Sequence, residues 1–187
     1  MKKPIREKEF ERIMRSLVDD SLSDAKKAKL MKLFTVLYVT GLRINEAASL
    51  TYGQIRDGLH RQEILLRTSK TRAWRRIFLS RDAAIALESV FCGDLDMPDD
   101  VYLFHPRHRR YSMPSIDRLT KDANEYLKKV LGPGYTSHSF RSGVITDMVA
   151  KTGNVKIAQE YIAHKSASTT LRYVRPSEED IRAGLAR

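Results

Sequence analysis

The chain has 187 residues, long enough to bury a sizeable core in one domain, and nothing in its length demands a second. Lys plus Arg outnumber Asp plus Glu by 34 to 23, a formal charge of +11 and a pI near 9.8, so a polyanion such as nucleic acid is favoured over an acidic or neutral partner. Cys92 is the single cysteine, which excludes an intramolecular disulfide and a multi-cysteine zinc site; MKKPIREKEF lacks the apolar core of a signal peptide and no stretch approaches a membrane span, so the expected setting is soluble, reducing and cytoplasmic. In chain order, Phe10, Ile13, Met14 and Leu17 recur at helical spacing and predict a helix over 4–18. Ser23 is a candidate N-cap for a second helix carrying Leu30, Leu33, Phe34, Leu37 and Tyr38, stopped by Gly41. A short helix over 44–50 precedes two strand-like runs, 63–67 and 75–79, which flank TSKTRAW and predict a β-hairpin. Ser80 caps a helix through Leu87; CGDLDMPDD and HPRHRRYSMPS then read as an acidic and a basic loop. Helices are expected over 115–130, 140–151 and 155–162, with a brief one over 166–173. Pro176, Ser177 and Asp180 look like a helix start, and Ile181 and Leu185 share one face of the resulting tail. The expected fold is mainly α with a small antiparallel β-sheet (α+β), one domain over 1–176 and a tail helix over 177–187.

Four short segments carry candidate chemistry. In TGLRINEAASL, Arg43 and Glu46 lie three apart on one helix face, where the carboxylate can orient the guanidinium. HSFR holds His138 and Arg141, and IAHKSASTTLRY places Tyr173 nine residues after His164. Taken singly, each has a bland alternative: an exposed ion pair worth at most about 1 kcal/mol, a helix-surface pair, or a half-buried aromatic. Taken together, they are the parts that attack of a phenol on a phosphodiester needs. Arginine forks suit the non-bridging oxygens, whose charge must be stabilised in the transition state. A phenol with a pKa of about 10 needs nearby positive charge and a proton acceptor, the role that suits His138, while His164 suits a hydrogen bond to the phosphate. Departure of the alkoxide needs a proton donor, and a lysine on a hairpin, Lys70, can reach it. Two basic clusters are candidate DNA contacts: Arg107, Arg109 and Arg110 in the second loop, and Arg72, Arg75 and Arg76 on the hairpin. Trp74 beside the latter fits either surface or core.

TGLRINEAASL, the lysine of SKTR, HSFR and IAHKSASTTLRY stand in the order found in the tyrosine recombinase or phage integrase family, and the chain resembles its catalytic domain over roughly residues 5–175. The resemblance implies a catalytic set of Arg43, Lys70, His138, Arg141, His164 and Tyr173, with Glu46 in support and neither metal nor nucleotide cofactor. It further implies that Tyr173 attacks the scissile phosphate of double-stranded DNA, forms a 3′-phosphotyrosine and releases a 5′-hydroxyl. Other protomers of the same protein, a tetramer on two DNA sites, and accessory DNA-bending proteins are the implied partners, in a prokaryotic, phage or mobile-element setting; no membrane is involved. The tail is expected to dock on a neighbouring protomer or fold back in cis. Two positions depart from the pattern: Ser142 stands where histidine is frequent, and Ala163 replaces the glycine before His164. The family's N-terminal DNA-clamp domain has no counterpart before residue 5, so the chain is read as half a clamp, either excised or of the minimal kind. The alternatives are a type IB topoisomerase-like enzyme, which rejoins the same strand, and a catalytically silent DNA-binding regulator of the same fold.

Overall fold

The computed structural model describes residues 3–67 and 74–163. Eight helices and one two-stranded antiparallel sheet occur among them, in the order α1 (Glu7–Asp19), α2 (Asp24–Thr40), α3 (Ile44–Ala48), α4 (Tyr52–Arg61), β1 (Glu63–Arg67), β2 (Trp74–Phe78), α5 (Arg81–Phe91), α6 (Ile116–Leu131), α7 (His138–Thr152) and α8 (Val155–Ile162). The fold is mainly α with one small sheet. Among the described residues no helix is long and apolar enough to cross a membrane. The brief helix expected over 166–173 and the tail over 177–187 lie outside the described residues.

The chain divides into two compact units, residues 1–144 and 145–187. In the first, α2 buries Leu30, Leu33, Phe34, Thr35, Val36 and Leu37, side chains on more than one face, and it contacts α1, α3 and α5, so it is the spine. Phe34 stacks on Phe140 of α7 with ring centroids 5.5 Å apart and lies 6.1 Å from Tyr126 of α6, which joins three helices in one core. Gly41 ends α2 in the left-handed conformation (φ 63°), its N–H donating to Leu37 O, and the chain turns at once into α3.

Helix α4 has no counterpart in the sequence reading, which passes over residues 52–61. Its start is nevertheless a capping box: Thr51 Oγ1 accepts from Gln54 N at 3.4 Å and Gln54 Oε1 accepts from Thr51 N at 3.0 Å. Gly53 and Gly58 lower helix propensity and mask that signal. Gly58 has a packing reason, because a Cβ there would sit 2.6 Å from Ile64 Cγ1 of β1. The hairpin thereby lies against α4, as an isolated pair of strands must to be stable. The register pairs Ile64 with Ile77 and Leu66 with Arg75, all facing inward, and leaves Leu65, Trp74, Arg76 and Phe78 outward and exposed.

Helix α5 runs past Leu87 to Phe91, whose buried ring meets Tyr52 edge-on at 6.0 Å. The acidic loop after it is clamped: Arg56 donates to the carbonyls of Leu95 and Met97 and pairs with Asp99, while Lys32 pairs with Asp94. Tyr52 also donates to Asp94, and burial, with that carboxylate beside it, pushes its phenol well above the ordinary value.

The second unit is described from Ile145 to Ala163. Asn154 Oδ1 caps α8 through Lys156 N, and Ala163 ends it in the left-handed region (φ 55°, ψ 48°), with its N–H on Glu160 O at 3.0 Å.

Candidate active site

Glu46 is the centre of the site. It lies at the third position of α3, where its Oε2 accepts from the backbone N–H of Arg43 at 2.8 Å, so the helix start itself fixes the carboxylate. Oε1 accepts from Arg43 Nη1 at 3.3 Å and lies 3.6 Å from Arg75 Nη1 of β2; Oε2 lies 4.0 Å from Arg141 Nη1 of α7. Arg141 Nη1 also donates to Gly41 O, the carbonyl at the end of α2, at 2.9 Å. One carboxylate thus gathers three guanidinium groups from three separate elements.

Exposure separates their roles. The side chains of Glu46 and Arg75 are 8% exposed and that of Arg141 is 4% exposed, whereas Arg43 reaches 41%. Arg43 is the one of the four with a substantially exposed side chain. The four side chains carry three positive charges against one negative, a balance suited to an anion.

His138 opens α7, and its position is set on two sides. Thr136 O accepts from Ser139 N at 2.8 Å while Ser139 Oγ accepts from Thr136 N at 3.1 Å, and Asn124 Oδ1 of α6 accepts from Ser137 N at 2.8 Å. On the other side, Ile5 N donates to Ser139 O at 2.9 Å, and the N-terminal segment crosses α7 so closely that a Cβ on Gly143 would lie 1.9 Å from Ile5 O. His138 is exposed, and Arg141, three residues on, is buried. Ser142, where histidine is frequent in the resembled family, is buried and donates through Oγ to His138 O at 3.2 Å.

The structure therefore brings together Arg43, Glu46 and Arg141, and it places Arg75 with them. Arg75 was expected on the DNA-facing side of the hairpin; its side chain instead points into the protein beside Glu46. The sequence held a signal for this: Arg75 shares the strand parity of Ile77 and Leu79, the apolar set of that run. Arg76 is exposed on the outer face, 3.9 Å from Glu63, and Trp74 is 69% exposed beside it. Arg107, Arg109 and Arg110 are exposed in a loop folded by turns at Pro106 O–Arg109 N and Arg109 O–Ser112 N, around a shallow concavity of about 400 Å³ lined by residues 107–112. Its base is anchored near α3, because Leu103 N donates to Leu50 O at 3.0 Å. Lys70, Arg72, His164 and Tyr173 lie outside the described residues.

The sequence profile of the Phage integrase family matches residues 3–180. The chain belongs to the phage integrase family. Among curated members it is similar to the tyrosine recombinase XerC of Rickettsia typhi, 30% identical over 155 residues that cover 81% of this chain and 48% of that relative. It is also similar to the tyrosine recombinase XerA of Pyrococcus horikoshii, 27% identical over 169 residues, 88% of this chain and 56% of that one. The chain spans about half the length of these relatives. Among solved structures the fold matches the XerA recombinase with a TM-score of 0.72 (22% identity, 97% of this chain, 62% of the other). It likewise matches the XerH site-specific recombinase bound to a palindromic difH substrate after cleavage, with a TM-score of 0.73 (19% identity, 97% and 52%). These likenesses establish the shared fold: a mainly helical domain with a small antiparallel sheet.

Proposed function

We propose that the chain is the catalytic part of a site-specific DNA recombinase that cleaves and rejoins double-stranded DNA through a 3′-phosphotyrosine intermediate. The observation that carries the reading is the Glu46-centred arginine layer, built from the TGLRINEAASL and HSFR segments of a phage integrase family member. In this reading Arg43 and Arg141 neutralise the non-bridging oxygens as charge builds in the transition state. The Tyr173 oxygen attacks phosphorus and the bond to the 5′-oxygen breaks. His138 takes the phenolic proton, Lys70 supplies one to the departing oxygen, and His164 hydrogen-bonds the phosphate. Attack by a 5′-hydroxyl on the phosphotyrosine reverses the step, so the bond is conserved without a cofactor. Arg107, Arg109, Arg110, Arg72 and Arg76 contact DNA along its backbone or groove. Residues 1–176 act as one catalytic module, residues 177–187 dock on a neighbouring protomer, and four protomers act on two DNA sites, with accessory DNA-bending proteins where the sites require them. The setting is the cytoplasm of a prokaryote or the mobile element it carries.

A plasmid assay tests the reading against its rivals. Site-dependent strand exchange between two copies of a selected sequence is the expected result. Sequence-independent relaxation by monomers would instead assign a type IB topoisomerase activity, and binding without any strand breakage a regulator.

A further inference from the structure

We propose that Arg75 is a positioning residue for strand cleavage: its ion pair with Glu46 fixes the carboxylate that orients Arg43, and so couples strand β2 to the arginine pair that receives the phosphate. The inference rests on the recombinase reading above.

Three observations carry it. Arg75 Nη1 lies 3.6 Å from Glu46 Oε1, the same oxygen that accepts from Arg43 Nη1 at 3.3 Å, so one arginine hydrogen-bonds and the other ion-pairs with a single oxygen. Movement of either shifts the field on the other. The Arg75 side chain is 8% exposed and faces inward from β2, so it meets the site through Glu46, while Arg43 remains 41% exposed. Finally, Arg75 occupies the inward parity of β2, across from Leu66 and two residues before Ile77. An aliphatic residue would fill that place without the desolvation that a guanidinium suffers there, so packing alone gives no reason for the charge. Pairing with Glu46 does. Arginine also suits the role better than lysine, because its planar fork fixes direction as well as charge.

The experiment compares wild type, Arg75→Gln, Arg75→Lys and the exposed-charge control Arg15→Gln. The probe is a set of nicked duplexes enriched from a random-sequence pool by covalent capture with the wild-type chain. Single-turnover adduct formation and equilibrium DNA binding are measured separately. Arg75→Gln is expected to slow adduct formation about a hundredfold, the scale of a catalytic group displaced by about an ångström, with Kd within about twofold of wild type. Arg75→Lys falls between the two. In a Glu46→Gln background, Arg75→Gln adds no more than about a twofold further loss, because both act through one contact. A wild-type rate in Arg75→Gln, a loss confined to Kd, or fully multiplicative losses with Glu46→Gln would overturn the proposal. Should Arg75→Gln fail to fold, the Arg75→Lys rate decides: below wild type supports the role and equal to wild type removes it. Should the wild-type chain form no adduct at all, the recombinase reading falls, and ¹⁵N NMR of the Arg43 guanidinium reads the coupling alone. Order lost in the Arg75 variants supports the coupling, and unchanged order overturns it.

Discussion

Two arginine-rich regions of this molecule use the same side chain in opposite ways. Around Glu46, three arginines from the start of α3, from β2 and from α7 share one carboxylate, and two of them are almost wholly buried. In the loop over residues 105–114, Arg107, Arg109 and Arg110 stand exposed on a frame of backbone turns. Burial turns a charge into a directed group, because the low local dielectric strengthens its interactions and the carboxylate fixes its orientation. Exposure leaves a charge free to attract a polyanion at longer range but subject to screening by salt. The first arrangement suits chemistry at one phosphate, and the second suits holding many.

Breaking the buried region should have the largest consequence. Glu46→Ala leaves its arginines facing one another without their shared carboxylate and is expected to cost about 3–5 kcal/mol in denaturant unfolding; a cost under about 0.5 kcal/mol would mean that water already solvates them. A second, part-buried polar cluster, Tyr52 with Asp94 and Lys32, supplies a contrast in which pH rather than mutation is the lever. The folded Tyr52 pKa is raised above the unfolded value, so its contribution is complete below about pH 10 and declines as pH rises beyond it. Tyr52 should add about 1.4 kcal/mol per pH unit to the fall in stability there, the part of the slope that Tyr52→Phe removes, while Tyr126, Tyr135 and Lys129, also raised, leave the rest. Ala163→Gly tests a backbone effect: relief of the left-handed conformation at φ 55° should stabilise the chain by about 1 kcal/mol in thermal unfolding. Charge reversal at Arg109 and Arg110 should change stability by less than about 0.5 kcal/mol. It should nevertheless weaken binding to every DNA sequence alike and flatten the salt dependence by about one unit for each lost phosphate contact. A selective loss at one sequence would instead make the loop a base reader.

The helices with a long apolar face were readable from the sequence because burial repeats along them, as at Ile13 and Leu17 or Leu119, Ala123 and Leu127. Helix α4 was not, since its two glycines weaken propensity and only Thr51 and Gln54 mark its start. The acidic loop reads as a solvated surface until Arg56, 39 and 41 residues away from the carbonyls it binds, shows it to be clamped. At the site, Arg43, Glu46 and Arg141 were legible as short motifs whose convergence only the fold could supply. Arg75 is visible in the sequence as one charge of a basic run around Trp74, a pattern typical of a surface, whereas its strand parity with Ile77 turns it inward. Ala163 was recognisable as a glycine replaced, and the left-handed angle gives the physical reason that glycine would suit that position.

The most direct measurement is covalent capture followed by peptide mapping. Incubated with a duplex nicked beside the scissile phosphate, the wild-type chain should become linked to DNA through the peptide containing Tyr173, by a 3′-phosphate, and Tyr173→Phe should form no adduct while binding the same duplex with unchanged affinity. Linkage at another residue, or full binding with no adduct from the wild-type chain under any condition, would contradict the assignment of the arginine layer to phosphoryl transfer.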